Sequence, residues 1–178
     1  MRSLSQLHPF FSNLLSIPNR CALTSKQNIE CWGDNDDGQS RVGSTPAAFV
    51  SVSSGGFHTC GLATSNDIMC IGDNEEGQAP ESWTATSGIF ESVSAGYFHT
   101  CAASSSGAVE CLGWNDAGQA PTSPVTSSDG SDFISVGCGR KHSCAVNANG
   151  GVECKPYQTN LRHLCIQLYA STYIERRS

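Results

Sequence analysis

Positive charge is missing from the middle of this chain. Residues 42–139 contain no lysine and no arginine, and the same segment carries ten of the 16 acidic residues. Because nucleic-acid affinity depends largely on lysine and arginine neutralising phosphates, we predict that this segment binds no nucleic acid. The acidity leaves two interpretations, a solvated surface, which we favour, and an acidic docking face.

Long apolar runs and familiar catalytic motifs are missing as well. No run approaches the roughly 18 apolar residues that a membrane helix needs, so no membrane span is predicted. Polar residues and proline interrupt the apolar residues of segment 1–18, a pattern that does not support a secretion signal and does not exclude one. Neither a phosphate-binding glycine loop of the required form nor a Gly-x-Ser-x-Gly motif occurs, and we predict a protein that is not an enzyme and uses no cofactor.

What the chain contains instead is a repeat. FHTCGLATSNDIMCIGDNEEGQAP begins at Phe57, and FHTCAASSSGAVECLGWNDAGQAP follows it at Phe98. A period of about 40 residues indicates a repeated supersecondary unit. The positions that recur are a glycine (Gly55, Gly96, Gly139), a histidine (His58, His99, His142), an asparagine (Asn35, Asn74, Asn115) and a pair of cysteines.

Each copy has the pattern of a small antiparallel sheet. Residues 49–52 and 133–136 alternate apolar with small or polar side chains, as strands do. Residues 58–63 and 68–71 are predicted to form two further strands around a turn at 65–67. One sheet of three or four strands cannot bury its own faces, so the copies must pack on one another, and radial packing produces a β-propeller. The predicted fold is all-β, a partial propeller of about three to four antiparallel blades.

The segment FESVSAGYFHTCAASSSGAVECLGWNDAGQAP resembles one repeat of the regulator of chromosome condensation family. That family's pattern is a strand ending in Ser-Ala-Gly, then His-Thr-Cys-Ala, a turn, and Cys-Trp-Gly-x-Asn-x-x-Gly-Gln. The resemblance implies one blade per repeat and seven blades in a typical domain, so this chain is expected to be a fragment holding an incomplete propeller. The predicted units are a partial repeat at 19–48, full repeats at 49–89 and 90–132, a partial repeat at 133–160, and non-repeat segments at 1–18 and 161–178.

Two positions depart from the family pattern. The first unit has Asn19 where the pattern has histidine. The last unit has Pro156 where the pattern has glycine, and no Gly-Gln follows it. Both outer units are therefore predicted to be incomplete.

Eight of the ten cysteines form four pairs with the same spacing. Partners ten residues apart, with a turn midway, lie opposite each other across a hairpin and within reach of a disulfide bond. The alternative is that cysteine serves as a small packing residue, but both members recur together, which favours bridges. Bridges would indicate an extracellular or cell-surface location, and free thiols the cytoplasm. The predicted pairs are Cys21 with Cys31, Cys60 with Cys70, Cys101 with Cys111, and Cys144 with Cys154.

The recurring histidines and cysteines also raise the question of metal binding and catalysis. His58, Cys60 and Cys70 offer three soft donors, but no fourth ligand recurs and the tight spacing of structural zinc sites is missing. The acidic segment 34–38 has its glycine one place too early for a calcium loop and is interpreted as a turn. A catalytic cysteine is normally unique, whereas these positions recur, so we predict buried hydrogen bonds for the histidines and no metal site.

The function predicted is protein binding by loops of successive blades, in a piece of a larger scaffold, cell-surface or secreted protein. The candidate contact segments are the linkers 40–48, 81–89 and 122–132. Trp83 in the second linker is the candidate partner contact, because tryptophan is enriched at binding hot spots. Blade faces left uncovered would also allow self-association.

Two alternative functions remain open at this point. The best-known member of the resembled family stimulates nucleotide exchange on the small GTPase Ran, and the resemblance implies the same kind of regulator here. The paired cysteines favour a different class, similar to the ectodomain repeats of crinkly-type plant receptor kinases and to a secreted propeller-shaped inhibitor of β-lactamases.

Overall fold

The computed structural model describes residues 19–41 and 48–156, and the regular structure of these residues is entirely β-strand. A search of those two ranges for a helix able to cross a bilayer finds none. The predicted segments 1–18 and 161–178, Cys165 and most of the linker 40–48 lie outside the described residues. The strands are β1 (Asn19–Leu23), β2 (Ile29–Gly33), β3 (Phe49–Ser54), β4 (His58–Ala63), β5 (Ile68–Gly72), β6 (Phe90–Ala95), β7 (His99–Ser104), β8 (Val109–Gly113), β9 (Phe133–Cys138), β10 (Ser143–Asn147) and β11 (Val152–Lys155).

The strands form four antiparallel sheets, which we call the first to fourth blades in chain order. The first blade is the hairpin β1–β2, and the others are β3–β4–β5, β6–β7–β8 and β9–β10–β11, each with its strands side by side in sequence order. A single-residue bridge from the following linker extends two blades, Trp83 to Ile68 in the second and Val125 to Val109 in the third. The predicted all-β partial propeller is confirmed, with the fourth strand of a blade reduced to one bridge.

Short turns join the second and third strands of the blades where the sequence predicts them. In the second blade the amide of Ala63 donates to the carbonyl of Asp67, and Asn66 has a φ of 68°. Gly107 occupies the corresponding place in the third blade with a φ of 79°. Glycine and asparagine are the residues that adopt this left-handed conformation at least cost, and the turns follow from their positions.

The core lies between blades. The middle strands β4 and β7 are buried along their whole length, because each contacts a neighbouring blade. Phe90, at the start of the third blade, packs into a cluster with Leu62 and Ile68 of the second and is fully buried. Burying such a side chain stabilises the fold by about 2–3 kcal/mol, and this gain exists only when two blades pack together.

Candidate functional site

A disulfide bond closes the hairpin of each blade. The bonds join Cys21 to Cys31, Cys60 to Cys70, Cys101 to Cys111, and Cys144 to Cys154. In every blade the two cysteines are directly opposite each other in the antiparallel register. The cross-strand pairing that the spacing predicts is therefore present in all four blades. Cys138 is the free cysteine of the described residues, and burial raises the pKa of its thiol to about 11.

A side-chain hydrogen bond from the first residue of β1, β4 and β7 joins each of the first three blades to the next. His58 Nε2 lies 2.7 Å from Thr100 Oγ1, and His99 Nε2 lies 2.9 Å from Ser143 Oγ. In the first blade Asn19 Nδ2 donates to Thr59 Oγ1 over 2.7 Å. Asn19 thus takes the place of the missing histidine and makes the equivalent bond, because its amide nitrogen is also a donor.

The direction of these bonds defines the histidine tautomer. The Thr100 hydroxyl has one proton and gives it to the carbonyl of Gln78 at 2.8 Å, so it accepts from His58 Nε2–H. Ser143 does the same with the carbonyl of Gln119 at 2.7 Å. Both imidazoles therefore carry a proton on Nε2. Burial lowers the pKa of His58 and of His99 to about 4, which keeps them neutral at physiological pH.

The recurring glycines are explained by the same junction. A Cβ on Gly55 would lie 2.7 Å from His58 Cε1 and closer still to the carbonyl oxygen of Gly96 in the next blade. The amide of Gly56 donates to that same carbonyl over 2.9 Å. The glycine is required because the imidazole and the neighbouring blade occupy the space of a side chain.

The recurring Asn and Gly-Gln residues close a turn after the third strand. Asn74 Oδ1 accepts from the amide of Ala79, and Gln78 Oε1 accepts from the amide of Glu76. Gln78 is fully buried, although glutamine is usually exposed. The acidic segments are thus turns held by their own hydrogen bonds, and the recurring Gly-Gln was the sequence signal for the buried glutamine.

Both kinds of turn lie at one end of the blades. The turn between the first and second strands and the turn after the third strand are neighbours, because His58 pairs with Gly72 in the register. We call this end the turn face, comprising 34–38, 55–57, 73–77, 96–98, 114–118 and 139–142. It carries seven acidic residues: Asp34, Asp36, Asp37, Asp73, Glu75, Glu76 and Asp116.

A row of half-buried aromatic rings crosses the turn face. Phe57 of the second blade stacks on Phe98 of the third with centroids 5.2 Å apart, and Tyr97 meets both edge-on. Trp114 continues the row at 6.3 Å from Phe98. The fourth blade adds two cations that lie over rings of the row. Arg140 lies 4.9 Å from the centre of the Tyr97 ring, and Lys141 lies 5.0 Å from the centre of the Trp114 ring. This arrangement was not predicted from the sequence, because it joins residues of three blades.

Trp83 lies at the opposite end, in a different environment. Its backbone exchanges two hydrogen bonds with Ile68, and its ring meets Phe90 edge-on at 4.7 Å. The ring therefore has a packing role and is only partly accessible, whereas Trp32 is 56% exposed. A partner contact at Trp83 stays a prediction.

Carboxylates of the third strands hold the predicted binding linkers down. Glu110 accepts from the amide and the hydroxyl of Thr86, at 2.9 and 2.6 Å. Glu153 accepts in the same way from Ser127 and Ser128. Linkers 81–89 and 122–132 are thus anchored at their centres. Sequence reasoning missed these contacts, since 24 to 26 residues separate each carboxylate from the linker residue that it holds.

The segments that match a known family model begin with the first strands of the second and third blades. A sequence model described as the Regulator of chromosome condensation (RCC1) repeat matches residues 49–78 and 90–119. The second and third blades therefore match the RCC1 repeat over these residues. The matched segments contain the junction histidine, the disulfide and the Gly-Gln turn of each repeat. A comparison with curated protein sequences finds no match.

Solved structures share the fold of these RCC1 repeats. The crinkly ectodomain of the Arabidopsis thaliana receptor kinase ACR4 matches with 22% identity and a TM-score of 0.57, over 77% of this chain and 46% of that one. The ectodomain of the Physcomitrella patens receptor kinase CR4 matches with 21% identity and a TM-score of 0.60, over 77% of this chain and 38% of that one. Yeast RCC1 (Prp20), solved bound to Kap60, matches with 18% identity and a TM-score of 0.62, over 77% of this chain and 41% of that one. The chain therefore spans less than half the length of these structures, and the likeness extends to the fold alone.

Proposed function

We propose that this chain is a non-catalytic protein-binding module of RCC1 repeats whose partner contacts the turn face. The observation that carries the proposal is the aromatic row of Phe57, Tyr97, Phe98 and Trp114 across that face. Aromatic and arginine side chains are enriched in protein interfaces, where they supply large contact area. The recurring polar residues of the repeats hold the junctions between blades and the turns after the third strands.

The charge of the turn face favours a partner segment rich in lysine and arginine. Its seven acidic residues stand against Arg140 and Lys141, which already lie over aromatic rings. A partner cation could occupy the same ring faces, with the acidic turns around it supplying long-range attraction. An acidic nucleic-acid backbone would be repelled by the same charges.

The four disulfides favour an extracellular or cell-surface location for the module. The two plant receptor ectodomains with the same fold are in keeping with this location. Intact mass before and after reduction of the chain purified from its own source tests it. A gain of eight hydrogens is expected for the four bridges, and no gain would place the chain in a reducing compartment.

Binding is tested with three fluorescein-labelled peptides of equal length that are rich in lysine and arginine, rich in acids, or neutral. We expect the fluorescence anisotropy to increase on addition of the chain only for the basic peptide. The affinity of the chain for this peptide should fall as the salt concentration increases. Trp114→Ala and the pair Glu75→Gln/Glu76→Gln should each weaken binding by about fivefold or more, since each removes roughly 1 kcal/mol of contact or attraction.

Matched controls lie at the other end of the blades. Glu91→Gln removes an exposed acid from β6, and Ile89→Ala removes an exposed apolar side chain beside it. Neither should change the affinity. Equal binding of all three peptides, or equal losses in the control variants, would refute the turn face as the binding surface.

A further inference from the structure

Three soft metal ligands from two blades meet at the junction between the third and fourth blades. His99 and Cys101 lie on β7, and Cys138 lies on β9 of the fourth blade. One donor atom from each residue, a ring nitrogen and two sulfurs, lies within 4.8 Å of the others. His99 and Cys101 are fully buried and Cys138 is half-buried, so the donors face one another inside the protein.

The Ser143 hydroxyl lies among the three donors and would have to turn away from the Gln119 carbonyl for an ion to take its place. It lies 2.9 Å from His99 Nε2, 3.3 Å from Cys101 Sγ and 3.6 Å from Cys138 Sγ. In a tetrahedral zinc site, bonds of about 2.3 Å to sulfur and 2.0–2.1 Å to nitrogen put the donor atoms roughly 3.5–3.8 Å apart. The donor atoms lie within 4.8 Å of one another, so the widest pair would have to approach by about 1 Å.

The fourth donor would come from Cys111 on the adjacent strand β8. Cys111 Sγ is bonded to Cys101 Sγ, and while that disulfide exists neither sulfur is a thiolate ligand. Two electrons from a thiol or phosphine reductant, with two protons from the thiols or from water, convert the bond into two thiols, and the reductant leaves as its own disulfide or as the phosphine oxide. Binding of a divalent ion then releases the thiol protons of Cys101, Cys111 and Cys138, and His99 coordinates through Nε2 with its proton on Nδ1.

We propose that reduction of the Cys101–Cys111 disulfide creates a zinc site of His99, Cys101, Cys111 and Cys138 that joins the third and fourth blades. Three thiolates and one imidazole are a donor set of structural zinc sites. The disulfide and the metal exclude each other, because both use the sulfurs of Cys101 and Cys111. Under reducing conditions zinc would link the third and fourth blades, and under oxidising conditions the disulfide closes the hairpin of the third blade.

The neighbouring junction supplies a natural control. His58, Cys60 and Cys70 repeat the arrangement between the second and third blades. In the register, however, Ala95 pairs with Thr100 where Cys138 pairs with Ser143. The second junction therefore lacks the donor from the next blade, and we expect no tight site there.

The test uses the full chain with its other disulfides intact. Cys111→Ser leaves Cys101 as a free thiol while the remaining three bridges maintain the blades. Cobalt(II) is titrated anaerobically, because tetrahedral thiolate coordination produces strong visible and charge-transfer absorption. We expect one cobalt per chain, displaced by zinc, and we expect Cys111→Ser/Cys138→Ala to bind more weakly by at least the roughly 10–100-fold that loss of an outer partner costs.

The matched variants use the second junction. Cys70→Ser frees Cys60 beside His58 and should not bind cobalt tightly, whereas Cys70→Ser/Ala95→Cys should acquire a site. Cys165→Ser should leave the binding of Cys111→Ser unchanged. A wild-type chain in which only the Cys101–Cys111 bridge is reduced should bind one zinc with four protein ligands. The proposal is wrong if Cys111→Ser binds cobalt no better than Cys70→Ser, or if loss of Cys138 has no effect.

Discussion

The junctions between blades and the turn face are made by the same repeats, but their residues recur to different degrees. At the second and third junctions a histidine meets a hydroxyl that bonds to the carbonyl of a buried glutamine, with nearly identical distances. A few residues away, at the turn face, the residue at each of two equivalent positions changes in size or charge in at least one blade. Those positions are Gly56, Tyr97 and Arg140, and Phe57, Phe98 and Lys141.

This difference separates architecture from recognition. A buried donor or acceptor that loses its partner costs about 1–3 kcal/mol, so the junction allows few substitutions. An exposed turn side chain costs little to replace, so the turn face is free to acquire a binding surface. The predictions below test how strictly this division applies.

The largest expected effect is that of pH on the junctions. The pKa of His58 and of His99 is about 4 in the folded chain against 6.5 when unfolded, so the unfolded state binds more protons below pH 6.5. Stability is therefore fully present above pH 6.5 and is lost as the pH falls towards 4, by up to about 3 kcal/mol for each histidine. Urea unfolding between pH 7.5 and 4.5 measures this loss.

The control for the pH prediction is His58→Asn/His99→Asn. Asn19 makes the same bond in the first blade without titrating, so this variant should lose much less stability over the same range. Equal pH dependence in the two proteins would mean that the histidines are not the groups responsible.

Loss of one disulfide is expected to have the next largest effect. Cys60→Ala/Cys70→Ala removes the bridge of the second blade. The unfolding free energy should fall by about 3 kcal/mol, which is the chain-entropy value for a loop closed by cysteines with a sequence separation of 10. Denaturant unfolding without reductant measures it, with Cys138→Ala as a cysteine variant that breaks no bridge. An unfolding free energy unchanged from the wild type would show that Cys60 and Cys70 are not bonded.

A single junction hydroxyl should matter somewhat less. Thr100→Val keeps the shape of the side chain but leaves His58 Nε2–H and the carbonyl of Gln78 without partners, at a cost of about 2 kcal/mol. Thr100→Ser should retain most of the stability, and the exposed Thr122→Val should change it by less than about 0.5 kcal/mol. Thermal unfolding of the three variants decides the matter, and equal losses for Thr100 and Thr122 would contradict a bonded junction.

The smallest effect is expected at the turn face. Lys141→Ala removes an exposed cation from the Trp114 ring and should change the unfolding free energy by less than about 0.5 kcal/mol. Because the ring becomes available to a partner cation, the affinity for the basic peptide should rise by about two- to fivefold. Lys26→Ala, at the hairpin tip of the first blade, should change neither quantity. Weaker binding by Lys141→Ala would mean that this lysine contacts the partner itself.

Sequence reasoning was successful wherever the signal was local. The strands followed from period-two alternation, the hairpin turns from Asn66 and Gly107, and the cysteine pairing from a spacing of ten with a turn midway. The surroundings of Trp83 could not be predicted from the sequence, because Trp83 belongs to the linker that bridges Ile68 and packs on Phe90. Nothing in its own neighbourhood of the sequence indicates that packing.

The sequence alone determined the blade, because alternation, turn residues and paired cysteines act within a single repeat. Only the tertiary structure decided what meets across blades: His58 with Thr100, Lys141 with Trp114, and Cys138 with His99 and Cys101. These contacts depend on how one sheet is rotated and shifted against the next. That arrangement is the joint result of all the side chains packed between two sheets, and no local pattern encodes it.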